Sequence, residues 1–141
     1  MQDYHSFLAE VLIPEKELKQ RVQELGEAIS QDYVGKKILA ICILRGGVMF
    51  LTDLIRHIQP LVAVDFMGVS SYGAGVRSSD GEVRITLDLT TSVSGQHVLI
   101  VEDIIDSGHT IASVIELLRT RNPTSLEVCT LLNKVSRREV D

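Results

Sequence analysis

The run Ile38–Leu44, reading ILAICIL, is apolar throughout, with no alternation. A strand with one wet face alternates polar and apolar side chains, so an unbroken apolar run predicts a strand buried on both faces of a mostly parallel sheet. The rest of the chain supplies the elements such a sheet needs. Leu18, Val22, Leu25 and Ile29 recur at helical spacing between Pro14 and Tyr33, with Pro14 at a first-turn position where proline is tolerated. Val48–Ile58 reads as a second helix, Leu61–Val69 as a strand, and Ser70–Glu82, rich in Gly and Ser, as a mobile loop before the alternating Val83, Ile85 and Leu87. Val98–Val101 is another buried strand, Ile111–Arg121 a helix, and Leu126–Leu132 a last strand. Strands alternating with helices predict an α/β fold, its central sheet flanked by helices on both faces.

Composition narrows the function classes. With 141 residues, of which 45% are hydrophobic and 23% charged, the chain has enough apolar surface for one domain with a conventional core. No apolar run approaches the roughly 18 residues of a membrane span, and residues 1–10 lack the pattern of a secretion signal, so a cytoplasmic protein is expected. Cys42 and Cys129 lie inside apolar runs without CxxC or Cys/His spacing, which predicts reduced core thiols. A net charge of −5 disfavours a broad grip on nucleic acid, leaving only a local basic patch at Lys134, Arg137 and Arg138. His5, His57 and His97 are too scattered to suggest a metal site.

In an open parallel sheet, ligands bind beyond the carboxyl ends of the strands, so the strand-to-helix turns carry the chemistry. One such turn follows Val98–Val101: Glu102, Asp103 and Asp106 come within five residues, and then Ser107-Gly108-His109-Thr110 opens a helix. The small residues let main-chain N–H groups and two hydroxyls converge on an anion at a helix N-terminus. The adjacent acids suit a sugar diol or the waters of a metal, with Asp106 displaced toward a reacting group. Acids at a helix start also complement its dipole, but three of them directly after a buried strand exceed that need. A second turn, Leu44-Arg45-Gly46-Gly47, offers N–H groups and a guanidinium to another anion, although close packing alone would equally account for its glycines. Two anion seats flanking a carboxylate pair fit a phosphorylated ribose that carries a pyrophosphate. No G-x-x-x-x-G-K-[ST] is present, and Gly73-x-Gly75 lacks a third glycine, so neither a P-loop nor a dinucleotide fold is indicated.

The stretch Val98–Thr110 resembles the phosphoribosyl pyrophosphate signature of type I phosphoribosyltransferases. Together with Leu44-Arg45-Gly46-Gly47, Ser71-Tyr72 and Leu131-Leu132-Asn133-Lys134, it is most similar to the bacterial hypoxanthine-guanine group of that family, over about Phe7 to Asp141. The resemblance implies transfer of the ribose 5-phosphate group from phosphoribosyl pyrophosphate to hypoxanthine or guanine, with release of pyrophosphate in the presence of Mg²⁺. By the same resemblance Ser107, Gly108, His109 and Thr110 hold the 5′-phosphate, with the His109 backbone rather than its ring in use. Glu102 and Asp103 face the ribose hydroxyls and, through water, the metal. Asp106 is the acid/base group near the purine N7, and Ile104 packs on the base. Lys134 donates to the 6-oxygen, whereas without the resemblance it would read as a solvated lysine after a strand. Leu44, Arg45 and Gly46 contact pyrophosphate, with a cis peptide after Leu44, while Ser71 and Tyr72 belong to the closing loop. The resemblance further implies a homodimer or homotetramer that engages no membrane or nucleic acid.

The family pattern continues past this core with an aromatic that stacks on the purine and an aspartate for a second Mg²⁺, neither of which can be assigned in residues 1–141. The chain is therefore expected to be a single core domain lacking the family's C-terminal base-binding segment. Two other readings share the fold: a regulatory protein that senses phosphoribosyl pyrophosphate or nucleotides, and a transferase that prefers xanthine. Asp106 argues against the first, since a sensor has no use for an acid/base group beside the base.

Overall fold

The computed structural model describes residues 8–71 and 83–140. In chain order these form α1 (Glu15–Asp32), β1 (Ile38–Leu44), α2 (Gly47–Ile55), β2 (Val62–Ser71), β3 (Val83–Leu87), β4 (His97–Ile105), α3 (His109–Arg119), β5 (Ser125–Asn133) and one 3₁₀ turn, Val135–Arg137. The five strands make one sheet in the order β3-β2-β1-β4-β5. All neighbours are parallel except the β2–β3 hairpin, whose register shifts at Gly68/Val69.

β1 is buried along its length apart from Leu44, as its unbroken apolar run requires. Ile38, Ala40 and Cys42 meet Val22 and Ile29 of α1 and Phe50, Leu51 and Leu54 of α2. On the opposite face, Leu39, Ile41 and Ile43 pack with Ile111, Val114 and Leu118 of α3. Both cysteines are free and buried, as expected of reduced core thiols, and burial pushes each thiol up to about 11. Among the described residues, no helix is long and apolar enough to cross a membrane.

Several boundaries differ from the sequence expectation. α2 stops at Ile55 rather than Ile58, although Ile58 still packs on the core. β2 runs on to Ser71, so Ser70 and Ser71 are strand rather than loop. Tyr72 and the rest of the expected mobile loop lie outside the described residues. Most consequential for function, β4 continues to Ile105, so Glu102 and Asp103 belong to the strand and not to the turn after it. The reason lies in β5, whose ladder with β4 extends to Ile105↔Asn133, whereas the β1–β4 ladder ends at Cys42↔Val101.

β1 and β4 thus diverge at their carboxyl ends. β1 continues through α2 to β2 on one side of the sheet, and β4 continues through α3 to β5 on the other. This is a topological switch point, where the outward-running connections leave a crevice between adjacent strand ends.

One buried acid shapes the sheet itself. Asp65, inside β2, accepts the main-chain N–H groups of Phe66 at 2.8 Å, Thr90 at 2.9 Å and Thr91 at 2.7 Å, and lies within reach of the Thr90 hydroxyl. Burial disfavours its charge, but these donors outweigh burial and hold the carboxyl below its ordinary range. Nearby, Arg121 makes a bidentate bond to Asp88, with both distances 2.8 Å, tying the end of β3 to the end of α3.

Candidate functional site

The first wall of the crevice is the turn between β1 and α2. Its Leu44–Arg45 peptide is cis, and Arg45 and Gly46 are exposed. A Cβ on Gly46 would stand 2.8 Å from both carboxylate oxygens of Asp103, so only glycine lets the turn come this close to the acid. The β1–α2 turn is therefore in contact with the acidic end of β4.

Glu102 and Asp103 form the floor. Glu102 carries a carboxyl pushed up to about 8 by burial and by hydrogen bonding and charge from Asp103. Burial and a neighbouring acid both disfavour the charged form, which is why the Glu102 carboxyl is raised. Hard oxygen donors of this kind suit a divalent cation such as Mg²⁺, bound through water and substrate oxygens. Among the described residues no group of three or more His, Cys, Asp or Glu side chains is arranged to hold a metal alone.

The far wall is the Asp106–Thr110 turn. A cavity of about 170 Å³ is lined by Glu102, Asp103 and Ile104 together with Asp106, Ser107 and Thr110. Gly108 has φ of +96°, a conformation that L side chains rarely adopt, and α3 starts at the next residue with no side-chain cap. The first N–H groups of a helix have no intrahelical acceptors, so this end is open to an anion. The His109 ring points away from that role, bonding through Nε2 to Glu139 Oε2 at 2.8 Å.

Lys134 directly follows β5, and its N–H donates to the Ile105 carbonyl at 3.0 Å, so its main chain runs beside the acidic end of β4. Asp106 Oδ1 is buried and accepts no hydrogen bond, with Arg137 Nε 3.2 Å away as an ion-pair partner. The structure therefore brings Glu102, Asp103, Ile104, Asp106, Ser107, Gly108 and Thr110 to one cavity, sets Gly46 against it, and runs Lys134 alongside. Ser71 ends β2 and pairs with Val83, two strands away from β4. Sequence reasoning missed the contacts of Arg137 and Glu139. The only signal was the basic patch at Lys134, Arg137 and Arg138.

Comparison with known proteins bears on this geometry. The Phosphoribosyl transferase domain family matches residues 12–141. The chain is 51% identical over 134 residues to the hypoxanthine phosphoribosyltransferase of Salmonella typhimurium, spanning 94% of this chain and 75% of that protein. It is 44% identical over 137 residues to the hypoxanthine-guanine phosphoribosyltransferase of Staphylococcus aureus, spanning 97% and 76%. A crystal structure of a hypoxanthine phosphoribosyltransferase from Staphylococcus aureus superposes with a TM-score of 0.92 at 44% identity, covering 99% of this chain and 76% of that one.

Proposed function

This chain belongs to the phosphoribosyl transferase domain family, and from that membership we propose that its crevice catalyses purine salvage, joining hypoxanthine or guanine to the ribose 5-phosphate of phosphoribosyl pyrophosphate. The observation that carries the reading is the contact of Gly46 with Asp103, which sets one anion-binding turn against the carboxylate pair that leads into the other.

In this reading the 5′-phosphate sits on the N–H groups and hydroxyls of Ser107, Gly108, His109 and Thr110, at the uncapped start of α3. Glu102 and Asp103 accept from the ribose hydroxyls, and they are the residues that would hold Mg²⁺. The metal, when bound, neutralises charge on the pyrophosphate. Leu44, Arg45 and Gly46 bind the pyrophosphate from the other wall. The base lies on Ile104, with the Lys134 ammonium donating to the 6-oxygen and Asp106 beside N7. As the C1′–O bond breaks, its electron pair leaves with pyrophosphate and the ribose ring becomes cationic. N9 then closes the new bond to C1′ while Asp106 takes the proton that the purine releases. Self-association as a homodimer or homotetramer, and a cytoplasmic location, complete the proposal.

Incubating the chain with phosphoribosyl pyrophosphate, Mg²⁺ and one base at a time tests it. Nucleotide should form with hypoxanthine and guanine and not with adenine, while faster turnover with xanthine would reassign the base. Donor binding without turnover would replace the enzyme by a sensor. Lys134→Ala should raise KM for hypoxanthine about tenfold, the usual scale for one charge-assisted contact. Unchanged kinetics would remove Lys134 from the site.

A further inference from the structure

The Asp106–Thr110 turn is braced from outside by a strap formed by residues 134–140. Lys134 N–H continues the β4–β5 ladder to the Ile105 carbonyl, and the chain then reverses through Val135–Arg137. The N–H groups of Glu139 and Val140 both donate to the Ser107 carbonyl, at 2.8 Å and 3.1 Å. Arg138 hydrogen-bonds Asn133 Oδ1, fastening the strap to the end of β5. The Val140 carbonyl lies so close to Gly108 that a Cβ there would meet it at 2.5 Å. Two side chains then reach from the strap to either side of the Ser107–Gly108 peptide. Arg137 Nε is 3.2 Å from Asp106 Oδ1, and Glu139 Oε2 is 2.8 Å from His109 Nε2.

We propose that Arg137 and Glu139 are positioning residues for the transfer reaction, Arg137 setting the rotation of the Asp106 carboxylate and Glu139 holding the His109 ring clear of the phosphate seat. The inference rests on the roles given above to Asp106 and to Ser107–Thr110. With Oδ1 turned into the strap, Oδ2 is the oxygen left for the purine, and a proton acceptor must stand within hydrogen-bond reach of the proton it takes. With the Ser107 carbonyl drawn outward by two donors and the His109 ring tied outside, the N–H groups of the turn stay free for the anion. All four side chains are substantially exposed. Pairs this exposed add little to stability, so their loss should appear in kinetics rather than in folding.

The test uses the full chain with phosphoribosyl pyrophosphate, Mg²⁺ and hypoxanthine, and measures donor affinity and melting temperature alongside. Arg137→Gln should lower kcat about tenfold with donor affinity unchanged, as expected when a reacting group is misplaced, and Arg137→Lys should recover most of the loss. Glu139→Gln should raise KM for the donor several-fold while kcat is kept. The melting temperature of each variant should stay within a few degrees of the parent. Unchanged kcat in Arg137→Gln, an equal loss in Arg137→Lys, or losses matched by a large fall in melting temperature would each overturn the proposal. Asp106→Asn separates the two levels. If it turns over normally, the reading of Asp106 fails; if it is crippled while Arg137→Gln is not, only the positioning role fails.

Discussion

Asp65 and Glu102 are both carboxylates set into parallel strands of one sheet, yet their surroundings are opposite. Asp65 in β2 is surrounded by donors, three main-chain N–H groups and a hydroxyl, and its charge is held. Glu102 in β4 has another acid beside it, and its proton is retained to about pH 8. A satisfied carboxylate builds structure, since removing it strands the donors that surround it. An acid set beside another acid instead offers its oxygens to a cation or a diol. Acids of the first kind should therefore fail in folding assays, and acids of the second kind in activity assays.

The largest expected separation comes from Asp106→Asn, which should cut turnover by about two to four orders of magnitude, the scale of general acid/base loss, while donor binding persists. Steady-state and single-turnover rates check this, and a comparable loss of donor binding would move Asp106 into the structural class. Next is Asp65→Ala, expected to cost about 3 kcal/mol by leaving buried N–H groups unpaired. For a domain of this size that corresponds to a fall of roughly 10 °C in melting temperature, with the activity of the folded fraction kept. An Asp65→Ala protein that melted normally but was inactive would break the comparison. Gly46→Ala should follow, slowing turnover about tenfold by pressing a methyl group on the Asp103 carboxylate, with little effect on melting.

The smallest effect is a pH slope. Because Glu102 holds its proton in the fold up to about 8 but releases it near 4.5 when unfolded, its contribution to stability is fully present below the lower value and is lost as pH rises through the upper one. Asp65 has the opposite sign: its folded value is lowered, so its contribution is present above the unfolded value and disappears in acid. Metal-free protein should therefore melt at a lower temperature at pH 9 than at pH 6. Glu102→Gln should flatten that slope and leave the acid-side loss intact.

The sheet was legible because Ile38–Leu44 and Val98–Val101 lack alternation, a pattern that burial on both faces leaves in the chain. The end of β4 was hidden because acids do not look like strand, and only the ladder with β5 keeps Glu102–Ile105 extended. Asp65 gave no signal, since Thr90 and Thr91 lie 25 and 26 residues away and the contact exists only after β3 has folded back. The same holds for Arg137 on Asp106 and Glu139 on His109, where the charges could be read from the sequence and the partners could not. Local chemistry at the turns could be read directly; contacts made by folding segments onto one another could not.

The unequal pairing of β4 has a consequence for how such a site can change over generations. From Glu102 to Ile105 the strand is paired by β5 alone, so peptide groups facing the β1 side have no ladder partner. Substitution replaces side chains but cannot remove a peptide group. A ligand read partly by that bare main-chain edge meets a feature that every sequence variant inherits, and selection is left free to retune the acids and the base pocket around it.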